Sequence, residues 1–141
     1  LSNLEIDLTR HASLYHMQVE RDLRAKLFRL RQKAAGMMSD EHLLRRLLAD
    51  SVSTFCVLFR HALALGGVDA APQKREIVER AAARFGIGRQ PFDQLLDLRE
   101  GRCAPRQVDA RALLGPYLEA IATVIEAVDG LERVPIPGAE S

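Results

Sequence analysis

The sequence predicts an all-α fold, an up-down four-helix bundle with one additional short helix, and three observations point there. Apolar residues recur at spacings of three and four almost throughout, strand-like alternation is confined to Leu4-Glu5-Ile6-Asp7-Leu8, and glycine or proline falls where helices should end. At 141 residues the chain suits one domain, able to bury about two-thirds of the surface its unfolded form exposes. There is no internal repeat and no low-complexity segment.

The first long helix is predicted from about Ser13, read as its N-cap, to about Met37, with Val19, Leu23, Leu27, Leu30 and Ala34 on one stripe. Residues 1–12 are read as an incoming linker. Gly36 and the Ser39-Asp40 pair break this helix and cap the next, predicted over Glu41 to Leu65 and ended by Gly66-Gly67. Apolar residues wrap more than half of that second cylinder, leaving a narrow polar strip of Arg45, Arg46, Asp50, Ser53 and Arg60, so it should be central. Pro72 suits the first turn of a third helix that Gly86 closes, and a short helix is expected near Pro91 to Leu98. The last long helix should begin near Pro105 and run to about Leu131, with a kink or restart at Pro116, which cannot donate to the carbonyl of Ala112. Val134 to Gly138 begins an extended tail, so the bundle domain is placed at 13–132 and the tail at 133–141. Short connections between long helices make neighbours antiparallel.

Composition narrows the function classes. The chain has 20 Lys+Arg against 19 Asp+Glu, 48% hydrophobic residues, 5% aromatic residues and no Trp. No uninterrupted apolar run approaches the roughly 20 residues of a membrane span, and no secretory leader is recognisable, so no membrane partner is expected. Cys56 and Cys103 are too few for a disulfide framework or a thiolate zinc site, which points to a reducing, cytoplasmic setting. The phenylalanines are scattered without a stacking motif and the pI is near 8.0, which argues against nucleic acid as a partner. Leu1 is not Met, so the chain is expected to continue a longer polypeptide.

Charge is uneven. Arg10, Arg21, Arg24, Lys26, Arg29, Arg31 and Lys33 outnumber Glu20 and Asp22 in the first helix region, whereas acidic residues prevail after 109. Opposite charge at the two ends favours their packing side by side. At about 100° per residue, Met17, Arg21, Arg24, Phe28, Arg31 and Ala35 form a second stripe roughly 80–160° from the core stripe of the first helix. Lys26, Arg29 and Lys33 lie on the opposite flank with Asp22. Spacing of four lets Glu20 pair with Arg24 and Asp22 with Lys26, but Arg29, Arg31 and Lys33 lack an obvious local partner; Glu119 and Glu126 of the last helix are candidates. Arginine in an apolar stripe suits docking on another body or on a planar anion. Arg24, Lys26, Phe28, Arg29 and Arg31 are therefore the candidate ligand- or domain-binding residues.

Other chemistry is sparse. There is no glycine-rich phosphate loop, no helical His pair with a Glu and no cysteine pair of ligand spacing. His11, His16, His42 and His61 are scattered, and Asp93 and Asp97 lie one helical turn apart without further acidic support. No catalytic residue and no metal ligand is expected. Arg10 and His16 have the separation used by helical-bundle ribonuclease toxins, but on the first helix rather than a late one.

Leu4-Glu5-Ile6-Asp7, the run Gln18 to Gln32 (Gln-Val-Glu-Arg-Asp-Leu-Arg-Ala-Lys-Leu-Phe-Arg-Leu-Arg-Gln), Phe55-Cys56-Val57-Leu58-Phe59-Arg60, Arg84-Phe85-Gly86 and Tyr117-Leu118-Glu119-Ala120 occur in that order. This pattern, covering about 4 to 131, resembles the helical C-terminal domain of a group of bacterial nucleotidyltransferases. The resemblance implies an upstream α/β catalytic domain as partner in the same polypeptide, which would carry a Gly-Ser motif, metal-binding aspartates, Mg and the nucleoside triphosphate. It implies that this chain supplies the substrate-binding side. The Gly-Ser motif and the Asp-x-Asp pair are absent here, so the resemblance gives this chain no cofactor and no transfer activity of its own. The competing expectation is a stand-alone interaction module or homodimer formed through Phe28.

Overall fold

A computed structural model describes the backbone of residues 2–69 and 73–133 and the side chains of residues 12–69 and 73–131. The described residues form α1 (Ser2–Ala35), α2 (Glu41–Leu65), α3 (Lys74–Phe85), α4 (Gln90–Arg99) and α5 (Ala110–Arg133), with a 3₁₀ turn at Pro105–Gln107 and no strand.

α1 starts at Ser2 rather than Ser13, so the stretch read as a linker is helical from its second residue. A helix already nucleated downstream gains one hydrogen bond for each residue it adds, and five alternating residues with no partner strand have nothing to pair with. At about 1.5 Å per residue the 34 residues of α1 span about 51 Å. The turn Gly36 to Ser39 then leads to Asp40, whose Oδ1 accepts the Leu43 N–H at 3.1 Å and caps α2. At the far end of α2 the left-handed residue is Gly67 (φ +77°), not Gly66 (φ −88°). Gly86 (φ +72°) closes α3, donating its N–H to the Ala82 carbonyl at 3.0 Å. The N-terminal side of α3 at Pro72, and the tail from 134 onward, lie outside the described residues.

The last helix differs most from expectation. Pro105 opens only a 3₁₀ turn, Val108 is extended and buried, and α5 begins at Ala110 behind Asp109, whose Oδ1 accepts the Ala112 N–H at 3.1 Å. The Arg45 Nε–H donates to the Val108 carbonyl at 3.0 Å, which holds this extended step in place. α5 then runs through Pro116 without restarting, because the proline is solvent-exposed and the Ala112 carbonyl that it deprives of a donor borders an open cleft.

α2 is central, as its composition predicts: α1, α3, α4 and α5 all pack on it. By length and composition it is apolar enough to cross a membrane, yet ten of its side chains are buried against the other helices. Phe55 and Phe59 of α2, Phe92 of α4 and Tyr117 of α5 form one ring cluster with centroid separations of 5.3–6.4 Å. Directions follow from individual contacts. Tyr15 of α1 meets His61 of α2 and the residues after α1 meet the start of α5 (Arg111 Nε to Met38 O, 2.9 Å), so α1 runs against both. Glu41 lies beside Arg111 and Ser51 beside Tyr117, so α2 and α5 run the same way. Phe92 packs on Phe59 while Arg99 reaches Asp50, so α4 opposes α2. Arg75 near the start of α3 binds Asp97 and Glu100 at the end of α4, and Arg84 near its other end lies against the Gly66 turn, so α3 follows the direction of α2.

The Ser51 hydroxyl donates to the Leu48 carbonyl at 2.8 Å, so at 2.7 Å the buried Tyr117 hydroxyl donates to Ser51 Oγ. Burial raises the Tyr117 phenol above its ordinary value despite that hydrogen bond, and burial pushes the Cys56 thiol up to about 11 against the pull of Lys74 and Arg99. Both groups hold their proton more tightly in the fold than in the unfolded chain. Stability is therefore whole below about pH 8.5 and falls as pH rises through the alkaline range. Urea midpoints should drop between about pH 8.5 and pH 10.5; Tyr117→Phe should cost about 1 kcal/mol at neutral pH and shallow that fall, whereas a flat profile in the parent chain would contradict this account.

Candidate functional site

Residue type and helical period together give α1 its character. Val19, Leu23, Leu27, Leu30 and Ala34 are buried, and because α1 packs chiefly on α2 and α5, the rest of its circumference faces outward. That outer arc carries two edges of different chemistry.

The edge beside α2 holds Lys26, Arg29 and Lys33, which border a cleft of about 230 Å³. Across it stand Leu47, Asp50, Ser51 and Thr54 of α2, with the largely covered Leu30 and Phe55 between. Among the described residues the three cations make no ion pair. Asp22, expected to pair with Lys26, instead accepts a hydrogen bond from Gln18 Nε2 at 2.9 Å. Asp50 sits on the far rim, its carboxylate 3.9 Å from the Arg99 guanidinium. Ser51 joins this cleft to the buried Tyr117 hydroxyl. The arrangement offers three charged donors on one wall of a shallow groove and two hydroxyls on the other, which suits an anion with several acceptor oxygens.

The other edge carries Met17, Arg21, Arg24 and Phe28. Phe28 is 63% exposed and Met17 46% exposed, with Leu14 at 63% continuing the same line. Arg24 Nε lies 3.3 Å from Glu20 Oε2, the one local pair of this edge that the spacing predicts. The five candidate residues therefore do not form one site: Lys26 and Arg29 share the cleft, Arg24 and Phe28 share the outer edge, and Arg31 borders neither concavity. Glu119 and Glu126 form no ion pair with α1 among the described residues, although α1 and α5 pack side by side.

A concavity of about 640 Å³ lies elsewhere, between the loop at Gly86 to Gly88, the start of α4 and the first half of α5. Gln90, Gln94, Gln107, Asp109 and Glu119 line it, with Pro116 on its wall and no Lys or Arg. Sequence reasoning did not single it out. Its signals were the Gly86-Ile87-Gly88 step and the helical Pro116, but only tertiary packing sets them face to face.

The acidic pair of α4 and the histidine near the end of α2 have structural partners. Asp93 and Asp97 converge on Arg75, at 3.7 and 2.5 Å, with Arg89 also 3.5 Å from Asp93. His61 Nδ1 shares a 2.7 Å hydrogen bond with the Tyr15 hydroxyl. No group of three or more His, Cys, Asp or Glu residues of metal-holding geometry occurs among the described residues, so the donors present do not fit the Mg of nucleotidyl transfer. The Arg10 side chain lies outside the described residues, so the ribonuclease-like Arg10–His16 pair has no geometry to report.

The division of α1 gives a direct test of stability. Leu23→Ala should cost about 2–5 kcal/mol, whereas Phe28→Ala should stay within about 0.5 kcal/mol, both read from urea unfolding. A comparable cost for the two would show that Phe28 is covered. No family model, curated protein or solved structure matches this chain.

Proposed function

We propose that this chain is a substrate-binding helical domain, not itself catalytic, that works beside an upstream nucleotidyltransferase domain of the same polypeptide. Mg and the nucleoside triphosphate belong to that upstream domain, and this chain contributes an anion-holding cleft. The observation that carries the reading is the row of Lys26, Arg29 and Lys33 along the α1–α2 cleft, with no carboxylate paired to any of them. Like charges spaced three and four residues apart over about two turns repel one another, and a multivalent anion relieves that repulsion. The bundle is an up-down arrangement of α1, α2, α4 and α5, with α3 as the additional element; the alternating directions of those four and the shared direction of α2 and α3 support this. In this arrangement α4, the short helix expected as the extra one, is one of the four.

Isothermal titration with tripolyphosphate should show binding that weakens as salt rises, and Arg29→Glu with Lys33→Glu should weaken it by about tenfold or more while melting stays within a few degrees. Unchanged affinity in the double variant overturns the cleft assignment. Reading the gene upstream of Leu1 tests the other half: about 100–150 residues carrying a Gly-Ser motif and paired aspartates are expected, and an initiator Met directly before Leu1 would refute it.

A second reading, a stand-alone interaction module or homodimer, draws on the exposure of Phe28. Sedimentation at several concentrations separates it: a dimer abolished by Phe28→Glu favours the homodimer.

A further inference from the structure

α1 carries a second periodic edge that the fold leaves uncovered. Leu14, Met17, Arg21, Arg24, Phe28 and Arg31 are all exposed and follow one another at spacings of three, four, three, four and three, the seam spacing of a coiled coil. Over about 26 Å of helix the seam reads apolar, apolar, Arg, Arg, Phe, Arg. Gln18 and Ala25, which flank it on the side away from the core, are uncharged and leave a neighbouring helix room to approach. α2 ends one turn beyond His61, the partner of Tyr15, whereas α1 extends back to Ser2, so α2 does not extend along the amino-terminal part of α1.

Charge decides between the occupants. In a two-fold antiparallel pairing of α1 with a second copy, Met17 would meet Phe28, but Arg21 would face Arg24 of the other chain, with only the Glu20 carboxylates to separate four guanidinium groups. A parallel pairing would set each arginine against itself. Like charges in a helical seam disfavour association, and complementary charges select the partner. Arg24 has one carboxylate neighbour and Arg21 and Arg31 have none among the described residues.

We propose that this outer edge of α1 is the docking surface for an acidic amphipathic helix of a separate protein, with apolar residues opposite Leu14, Met17 and Phe28 and Asp or Glu opposite Arg21, Arg24 and Arg31. The proposal does not depend on the nucleotidyltransferase reading, because Lys26, Arg29 and Lys33 lie on the other edge of the helix. Fluorescence anisotropy tests it with a synthetic helical peptide bearing Leu and Glu in that register, alongside the same peptide with Lys in place of Glu. The chain should bind the Glu peptide at least about tenfold more tightly than the Lys peptide, and Phe28→Glu should weaken binding by about tenfold. Combining Arg21→Glu, Arg24→Glu and Arg31→Glu should reverse the preference toward the Lys peptide, a reversal that mere loss of folding would not produce. Equal affinity for the two peptides, or a preference that survives the triple variant, overturns the proposal. So does self-association through the same edge, seen as a dimer lost on Phe28→Glu. Binding to this chain but not to its longer parent would place a segment of the same polypeptide on the edge and would also overturn it.

Discussion

A helix as apolar as α2 has one stable situation in water, which is to be covered over most of its circumference by other helices. Each Leu or Phe that it buries contributes about 1.5–3 kcal/mol relative to exposure, and Leu44, Leu48, Val52, Phe55, Phe59 and Leu63 are all essentially inaccessible. Four neighbours satisfy that demand, and their order around α2 follows from it. α4 and α5 bring Phe92 and Tyr117 onto Phe59 and Phe55 in edge-to-face contacts, closing the centre. α1 needs only one stripe to complete the cover. It is therefore a peripheral helix with a wide outer arc, and that arc is where the candidate recognition chemistry lies.

Several arginines link parts of the chain far apart in sequence. Arg45, Arg99 and Arg111 donate to the backbone carbonyls of Val108, Ala49 and Met38, linking parts of the chain distant in sequence. Arg75 gathers Asp93, Asp97 and Glu100 and ties α3 to α4, though each such half-exposed pair contributes little by itself. These side chains belong to the scaffold. Among the described residues the Lys and Arg side chains of α1 make no such links, and Arg24 pairs only with Glu20 of the same helix. A planar guanidinium with five donors suits a carbonyl as well as a carboxylate, so residue type alone does not say which arginines tie the helices together.

Two kinds of surface on one helix also separate two questions about function. The cleft edge presents lysine and arginine beside hydroxyls, which suits a compact anion. The outer edge presents arginine between exposed apolar residues, which suits a long, structured partner. A ligand on the first need not disturb a partner on the second, since the buried stripe of α1 lies between one edge and the other along the inner face and an arc of solvent separates them on the outer face.

Periodicity alone determined much of this protein. The helical class, the bounds of α2, the Gly86 stop, the short helix near Pro91 and the buried stripe of α1 are local consequences of spacing, capping and glycine conformation, which operate within a few residues. The split of Arg24, Lys26, Phe28, Arg29 and Arg31 into two edges was half legible, because angle around a helix can be computed from sequence, but which edge meets a neighbour cannot. The early start of α1 escaped because extending a formed helix needs almost no local signal, and the late start of α5 escaped because a distant side chain, Arg45, holds Val108 extended. The companion of α2 in direction, the cleft at Pro116 and the link from Ser51 to Tyr117 join residues far apart in the chain. Only tertiary packing decided these, since the burial of α2 fixes how the helices meet and no short stretch of sequence contains both sides of such a contact.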